Sequence, residues 1–379
     1  MIKVLSVFGT RPEAIKMAPL VKELERRENI DSIVCITAQH REMLDQVLEI
    51  FDIKPDFDLN IMQTRQTLSG ITTSALNGLS EVIAEAVPDI VLVHGDTTTT
   101  FAGSLAAFYN KVKVGHVEAG LRTYNNYSPY PEEVNRKLTG VLAELHFAPT
   151  NQNRENLLKE NVSENGIYIT GNTVIDALKD TVSKEYVFEN EILSNLDYSK
   201  KIIVVTAHRR ENLGQPLHNI CNAIKRVARE FGDVEFVYPV HLNPAVQEVA
   251  HGILADEENV HLIDPVNATD LHNLMARSFM VMTDSGGLQE EAPSLGKPVL
   301  VMRTETERPE AVKAGTVKVV GVEAEDVYQN AKKLLTDVEA YDKMAKAVNP
   351  YGDGEASRRI ADIIEYTFGT RDENPDEWL

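Results

Sequence analysis

The sequence contains few cysteines and no apolar run that approaches the length of a membrane span. Only two of its 379 residues are cysteine, Cys35 and Cys221, and each lies among periodically spaced apolar residues, like a small core side chain. We therefore expect no disulfide and no bound metal. The chain begins directly with a strand pattern and shows no signal peptide, so we expect a reducing, cytoplasmic location.

Basic residues are also scarce. The sequence has 38 Lys and Arg against 58 Asp and Glu, which gives a formal net charge of −20. A chain of this sign has no general attraction for nucleic acid or for an anionic membrane, so we expect neither as a partner. Any anionic ligand must instead bind to a few placed Arg, Lys and His side chains. Because 379 residues exceed one ordinary hydrophobic core, two domains are expected.

Several common cofactor and catalytic motifs are missing. No Gly-x-Gly-x-x-Gly follows the first strand, where Gly9-Thr10-Arg11-Pro12 stands instead, and this disfavours a nicotinamide or flavin dinucleotide. No phosphate-loop Gly-Lys-Ser/Thr, His-Glu-x-x-His or Gly-x-Ser-x-Gly occurs at a suitable place. The sequence therefore predicts no external cofactor of these kinds.

The sequence does contain two series of short apolar strands that alternate with helical stretches. The predicted strands are residues 3–8, 33–37, 90–93 and 112–117 in the first series, and 202–206, 234–239, 260–263, 279–283 and 298–301 in the second. This alternation is typical of parallel, doubly wound sheets. Polar residues gather just past the strand ends, where open α/β sheets bind ligands.

One such segment is Asp284-Ser285-Gly286-Gly287-Leu288-Gln289-Glu290-Glu291, which follows a strand and begins a helix. Glycines allow close approach of the backbone, and a helix N-terminus attracts anions, so the Ser-Gly-Gly run fits a phosphate. One of the two glutamates is then left for a ribose diol. The same residues fit equally well an ordinary strand–helix turn that needs glycine for geometry alone.

Carboxylates follow the strands of the first series. Asp96 and Glu118 each come directly after a strand, and if those strands are neighbours, both can serve acid–base chemistry in one site. Asp96 alternatively caps the helix after it, whereas Ala119-Gly120 indicate a loop, which favours a functional role for Glu118. Glu132 lies in the first turn of a helix, where the helix dipole alone explains it.

Cationic side chains follow strands in both series. His208 and Arg209 form a compact cluster after the first strand of the second series, which is well suited to a diphosphate. His241 is a second candidate, for which a structural role is equally consistent. Arg11, on a tight turn, and Lys16 can reach one anionic group, although Lys16 alone is more typical of surface charge.

Six motifs in order resemble the non-hydrolysing UDP-N-acetylglucosamine 2-epimerases of the bacterial type. They are Phe8-Gly9-Thr10-Arg11-Pro12-Glu13-Ala14, His94-Gly95-Asp96-Thr97, Gly115-His116-Val117-Glu118-Ala119-Gly120-Leu121-Arg122, Ser128-Pro129-Tyr130-Pro131-Glu132-Glu133, Thr206-Ala207-His208-Arg209-Arg210-Glu211-Asn212 and Asp284-Ser285-Gly286-Gly287. The resemblance covers essentially the whole chain. It implies a GT-B-like α/β fold of two Rossmann-like domains with an interdomain cleft. We expect these domains to be residues 1–172 with the C-terminal helix 355–379, and residues 173–354.

The resemblance also implies an activity, the interconversion of UDP-GlcNAc and UDP-ManNAc. UDP leaves by anti elimination to give 2-acetamidoglucal and then adds back, without cofactor or metal. The product would feed cell-surface glycopolymers, and a homodimer is usual in the family. Three alternatives remain: a GT-B glycosyltransferase, which needs an acceptor; a hydrolysing epimerase, which releases free ManNAc; and a catalytically silent nucleotide-sugar sensor.

Residue roles are implied by the matching motifs. Asp96, Glu118 and Glu132 become the acid–base set, and His208 lies beside the diphosphate as the fourth catalytic residue. The residues expected to contact UDP are Arg11, Lys16, Arg209, His241, Ser285, Gly286, Gly287 and, at the ribose, Glu291.

Some bacterial members are activated by their own substrate, through a Gln-His-Arg-Gln segment and a downstream Arg. This chain has Gln39-His40-Arg41-Glu42 and then Arg65. A carboxylate at the fourth position cannot donate the hydrogen bond of an amide, and it repels a diphosphate. An allosteric site at Gln39, Glu42 and Arg65 is therefore a hypothesis.

Overall fold

The computed structural model describes residues 1–38, 41–62 and 67–378, without the side chains of Glu42 and Met43. The chain forms two compact units, Met1–Ala177 with Tyr351–Leu379, and Leu178–Pro350. Of the expected allosteric residues, Gln39 and Arg65 lie outside the described residues, as does the side chain of Glu42.

The described residues of the first unit form a seven-stranded parallel sheet. Its strands are β1 (Ile2–Phe8), β2 (Ile30–Ile36), β3 (Phe57–Asp58), β4 (Ile90–His94), β5 (Lys113–Val117), β6 (Leu145–Ala148) and β7 (Ile167–Ile169). Their order is β3-β2-β1-β4-β5-β6-β7. The order reverses between β1 and β4, and open α/β sheets bind ligands beyond the carboxyl ends of the strands at such a point.

Helices cover both faces of this sheet. They are α1 (Arg11–Glu25), α2 (Arg41–Ile50), α3 (Leu68–Ala86), α4 (Thr98–Tyr109), α5 (Glu132–Leu142), α6 (Asn151–Lys159) and α7 (Thr173–Thr181). Side chains alternate along a strand, so Val4 and Phe8 of β1 join the core beneath α1 and α2, whereas Leu5 and Val7 join the core beneath α3 and α4. Burial on both faces explains why the strands are almost continuously apolar.

The described residues of the second unit form a six-stranded parallel sheet. Its strands are β8 (Lys201–Thr206), β9 (Val234–Pro239), β10 (Val260–Ile263), β11 (Met280–Thr283), β12 (Val299–Val301) and β13 (Val317–Val319). Their order is β10-β9-β8-β11-β12-β13, which reverses between β8 and β11. Thr206 and Thr283 are paired at the carboxyl ends of these two strands, so the turns after them are neighbours.

The remaining helices are α8 (Glu191–Asn195), α9 (Gln215–Glu230), α10 (Pro244–Leu254), α11 (Ala268–Arg277), α12 (Leu288–Ser294), α13 (Pro309–Ala314), α14 (Ala324–Thr336), α15 (Val338–Ala345) and α16 (Ala356–Thr367). The last of them belongs to the first unit. Ile360 and Ile364 join the core beneath α1, and Arg27 donates to Asp362 at 2.8 Å. Within the described ranges, no helix is both long and apolar enough to cross a lipid bilayer.

Candidate active site

The buried carboxylate of Glu13 joins the turn after β1 to the turn after β4. It accepts hydrogen bonds from two backbone N–H groups and two hydroxyls: Gly9 N at 3.1 Å, Thr10 N at 2.8 Å, Thr97 Oγ1 at 2.6 Å and Thr100 Oγ1 at 3.2 Å. Burial raises the pKa of Glu13, and these hydrogen bonds act in the opposite direction. The turns that carry Arg11 and Asp96 are therefore fixed together at the switch point of the first sheet.

Arg11 is the first residue of α1, directly after the β1 turn. Its guanidinium is partly buried, and burial lowers its pKa from the ordinary value. Among the described residues, no acidic side chain pairs with it. An arginine at a strand end without an acidic partner is available for the anionic group of a ligand.

Asp96 follows β4 and accepts hydrogen bonds from two side chains of α5. Arg136 donates from Nη2 to Oδ2 of Asp96 at 2.5 Å, and Asn135 donates from Nδ2 to the Asp96 carbonyl at 3.0 Å. The helix after Asp96 is capped by Thr97, whose hydroxyl accepts from the Thr100 N–H at 3.1 Å. The alternative prediction that Asp96 caps this helix is therefore wrong, because the next residue does so.

Glu132 is the first residue of α5. Residues four apart lie on one face of a helix, so Glu132 shares a face with Arg136, the partner of Asp96. Its Oε2 atom is buried and has no hydrogen-bond partner among the described residues. Buried polar atoms are rarely left unpaired, so this oxygen is a candidate for contact with a ligand.

Glu118 follows β5, the strand next to β4. The two strands are paired so that His94 lies opposite Val117, and the turns that carry Asp96 and Glu118 are therefore adjacent. Glu118 has a backbone φ of 62°, in the left-handed region that a residue with a β-carbon seldom adopts. Such conformations persist where the surroundings enforce them, and they cluster at functional sites.

The side chain of Glu118 is 7% exposed and lies among polar partners. Lys16 forms an ion pair with Oε1, and the amide of Asn172 donates to the same oxygen at 2.9 Å. The imidazole Nε2 of His94 lies 3.6 Å from Oε2. Lys16, which the resemblance assigned to the UDP side, is thus paired with the carboxylate of Glu118, and Glu118 is held in one orientation.

Three buried histidines line β4, β5 and β6. Burial lowers the pKa of His94 to about 4, that of His116 to about 3 and that of His146 to about 4. His116 lies with Nε2 2.7 Å from the carbonyl of Gly95. All three rings are therefore neutral at neutral pH, and His94 meets Glu118 as an uncharged group.

The Ser285-Gly286-Gly287 turn follows β11 in the second unit. The Ser285 N–H donates to the hydroxyl of Thr283 at 2.9 Å. A β-carbon at Gly286 would lie 2.5 Å from Oε1 of Glu307, and Arg209 Nη2 is 3.8 Å from the same point. The absence of a side chain at Gly286 thus leaves room for the carboxylate of Glu307, and the predicted phosphate turn lies near Arg209.

His208 follows β8 and stacks on His241, with ring centroids 5.1 Å apart and planes inclined by 6°. Burial lowers the pKa of His208. The turn that carries His208 and Arg209 lies beside the turn after β11. The structure thus brings His208, Arg209, His241 and Gly286 to one region of the second unit.

Glu291 lies in the first turn of α12 and is oriented by α11. Its Oε2 is 3.4 Å from Nε2 of His272, and Nδ1 of that ring lies 2.8 Å from the hydroxyl of Thr181. His272 and Thr181 are both buried. Glu291, expected at the ribose, is therefore supported by a buried hydrogen-bonded pair.

The residues that sequence reasoning missed are partners of the predicted ones. Arg136 was recognisable from its position four residues after Glu132, which places both on one helix face. Asn172 gave no such signal, and Asp284, although it begins one of the six motifs, was given no role, because the partners of both residues are distant in the sequence. In the described parts of the chain, no cluster of His, Cys, Asp and Glu side chains is arranged to hold a metal ion.

Comparison with known proteins identifies the family. A profile of the UDP-N-acetylglucosamine 2-epimerase family matches residues 22–365. The UDP-N-acetylglucosamine 2-epimerase of Bacillus subtilis is 60% identical over 377 residues, which cover 100% of this chain and 98% of that protein. The chain belongs to the UDP-N-acetylglucosamine 2-epimerase family. The resemblance seen in the six motifs is thereby confirmed.

Other family members agree in sequence and fold. The epimerase of Escherichia coli K12 is 55% identical over 96% of this chain and 98% of its own length. The crystal structure of the Neisseria meningitidis UDP-GlcNAc 2-epimerase, bound to UDP-GlcNAc, is 52% identical, with a TM-score of 0.87 over 98% of this chain and 100% of that one. With the two parallel sheets, these matches confirm the predicted GT-B-like class of two Rossmann-like domains.

Proposed function

We propose that the protein catalyses reversible epimerisation at C2 between UDP-GlcNAc and UDP-ManNAc without releasing free sugar. The observation that carries this proposal is the grouping of three carboxylates in the first unit. Asp96 and Glu118 follow adjacent strands, and Glu132 shares a helix face with the arginine that binds Asp96. Inversion at C2 needs a base on one face of the sugar and an acid on the other, and a carboxyl side chain can serve in either role.

The reaction has two half-steps. A carboxylate removes the C2 proton while the C1–O bond breaks, and the electron pair of the C2–H bond forms the C1–C2 double bond of 2-acetamidoglucal. UDP leaves with the electrons of the C1–O bond. In the return step a UDP oxygen attacks C1, and a carboxylic acid delivers a proton to the opposite face of C2. Atoms and charge balance without an external oxidant, reductant or cofactor.

The departing UDP carries developing negative charge, which preorganised cations stabilise most strongly in a site sheltered from water. Arg11 in the first unit has no acidic partner among the described side chains. In the second unit, we assign the diphosphate to His208, Arg209, Ser285, Gly286 and Gly287 and the ribose to Glu291, with His241 stacked on His208. The bound UDP-GlcNAc of the Neisseria meningitidis enzyme supports a nucleotide-sugar ligand.

The wider role is inferred from the product. UDP-ManNAc is a donor of N-acetylmannosamine, so we propose that the enzyme supplies this sugar for cell-surface glycopolymers. We also propose that it works in the cytoplasm and that it is a homodimer. Light scattering of the purified protein tests the oligomer, and a mass of one chain overturns it.

The deciding experiment uses UDP-GlcNAc alone in deuterated water, followed by proton NMR. We expect UDP-ManNAc that carries deuterium at C2, and no free sugar, because the abstracted proton exchanges with solvent. Free ManNAc with UDP would instead assign the chain to hydrolysing epimerases. If the spectrum stays unchanged and UDP-GlcNAc reacts only after a sugar acceptor is added, the chain would be assigned to glycosyltransferases.

A further inference from the structure

Asp284 is a wholly buried carboxylate at the carboxyl end of β11. Its exposed fraction is 0%. Oδ2 accepts three hydrogen bonds: from the backbone N–H of His208 at 2.8 Å, the backbone N–H of Arg209 at 2.8 Å and Nδ2 of Asn212 at 3.0 Å. A single oxygen thus fixes the turn that presents His208 and Arg209.

The second oxygen of Asp284 has a different environment. Oδ1 is buried and has no hydrogen-bond partner among the described residues, and it lies 3.8 Å from Nδ1 of His208. The attraction between a carboxylate and an imidazolium at this separation is stronger at such a partly buried site than in bulk water. A buried carboxylate oxygen without a partner also costs free energy, so a nearby N–H donor is favoured. The structure therefore offers Oδ1 to the imidazole.

His208 is faced by three charged or titratable groups: Asp284, His241 and Arg209. Burial lowers the pKa of His208, the charge of Asp284 raises it, and His241 and Arg209 lower it. Of these three neighbours, only Asp284 is anionic. A carboxylate beside Nδ1 favours the tautomer with the proton on that nitrogen and stabilises the imidazolium.

We propose that Asp284 is a positioning residue for His208, which fixes the strand-end turn through Oδ2 and orients the imidazole through Oδ1, leaving Nε2 for the diphosphate of UDP. This inference rests on the proposed function, in which His208 lies beside that diphosphate. The diphosphate then supplies a second anionic neighbour, so binding of UDP raises the pKa of His208 from its lowered value and the protein takes up protons.

The first test uses the unchanged full-length protein. Nitrogen-15 chemical shifts of histidine distinguish the two neutral tautomers, and the spectrum of His208→Gln assigns the signal. We expect a neutral His208 with its proton on Nδ1, and an upward shift of its pKa when UDP is added. A proton on Nε2 in the neutral ring overturns the inference. This outcome is read from the wild-type protein, so it does not depend on whether a variant folds.

The second test compares two variants. Asp284→Asn keeps an oxygen for the turn but removes the charge, and we expect the pKa of His208 to fall by about one unit and the Kd for UDP to rise roughly tenfold. Asn212→Ser is the control, because it removes one hydrogen bond to Oδ2 and leaves the charge in place. Equal shifts of the pKa in both variants would show that Asp284 acts only through the backbone, and the inference fails.

These readouts need no turnover. If the deuterium experiment gives no UDP-ManNAc but UDP binds and the tautomer is as expected, the proposed reaction is wrong and the positioning role stands. If UDP-ManNAc forms and the tautomer is the opposite one, the reaction stands and the positioning role is wrong.

Discussion

The amide of Asn172 donates a hydrogen bond of 2.9 Å to Oε1 of Glu118, which lies 54 positions earlier in the chain. Asn172 lies between β7 and α7. In the sheet, β6 separates β7 from β5, the strand that Glu118 follows. Its side chain thus reaches the strand-end carboxylate that Lys16 also binds. Because Glu118 has a left-handed backbone, its orientation depends on these two side-chain partners rather than on a regular element.

Replacement of this amide tests its role in the reaction. Asn172→Ser keeps an oxygen beside the start of α7 but replaces the amide that donates to Glu118 by a hydroxyl on a shorter side chain. A hydrogen bond to a charged group contributes about 1.5–3 kcal/mol, so we expect kcat/KM for epimerisation to fall roughly 10- to 100-fold. Asn156→Ser is the matched control, because that buried amide donates to the Gly120 carbonyl at 3.0 Å instead. Equal losses in the two variants would contradict a specific role for Asn172.

Glu13 gives a prediction about pH and stability. Burial raises its pKa in the folded state, so its contribution to stability is greatest below the pKa of the unfolded chain and is lost as the pH rises through the folded value. In Glu13→Gln this dependence is absent. We therefore expect the free energy of unfolding of the wild type to decline relative to the variant from pH 4.5 towards neutrality, in urea titrations. A constant difference over this range would contradict the raised pKa.

The variant also tests the link between the two turns. An amide has one acceptor atom where the carboxylate has two, and Glu13 accepts four hydrogen bonds. The amide nitrogen of the variant then faces either the two backbone N–H groups, which are left without an acceptor, or the two threonine hydroxyls, which must turn from donors into acceptors. We expect roughly a tenfold loss of kcat/KM at pH 7. Unchanged turnover would show that the arrangement of the β1 and β4 turns does not limit the reaction.

The burial of His146 predicts that the free energy of unfolding falls in acid. Burial lowers its pKa to about 4, so the stability it contributes is present above about pH 6.5 and is lost as the pH falls towards 4. We expect His146→Leu to reduce the pH dependence of unfolding free energy in this window by about one proton, or roughly 1.4 kcal/mol per pH unit. His218→Leu is the control, because His218 is exposed. The prediction fails if both variants retain the wild-type slope.

The charge of Glu42 leads to a prediction about the stimulation of turnover by UDP-GlcNAc. If substrate activation operates, Glu42→Gln restores an amide at the fourth position of the segment and removes a charge that repels a diphosphate. We expect UDP-GlcNAc to stimulate turnover of UDP-ManNAc at roughly tenfold lower concentration than in the wild type. Glu49→Gln removes an exposed charge from the same helix and serves as the control. Hyperbolic UDP-ManNAc kinetics in every variant, with no requirement for UDP-GlcNAc, would refute the hypothesis.

Much of the fold follows from local sequence. The predicted strands 234–239 and 260–263 coincide with β9 and β10, because apolar runs of this length between polar stretches are typical of buried parallel strands. The predicted set omits β3, β6, β7 and β13, which contain two to four residues each. All four lie at an edge of their sheet or next to one, and their pairing is decided by the neighbouring strand.

The candidate site, like the fold, was predicted only in part from local sequence. Strand-end motifs alone indicated Asp96, Glu118, His208 and the Ser-Gly-Gly turn, because polar residues after apolar strands collect at one edge of a parallel sheet. Local sequence misplaced the helix cap at Asp96, since it cannot show which of two adjacent residues has the extended backbone of a cap. Thr97 adopts it, with φ −70° and ψ 167°.

The sequence by itself determined the two α/β units, the strand-end turns and the family, because these depend on periodicity and on motifs contiguous in the chain. Tertiary structure alone decided which side chains support the chemistry. Asn172 with Glu118, and Asp284 with His208 76 residues away, meet only because the order of strands in each sheet brings distant turns together. No local pattern encodes that order, since it results from packing of the whole sheet against its helices.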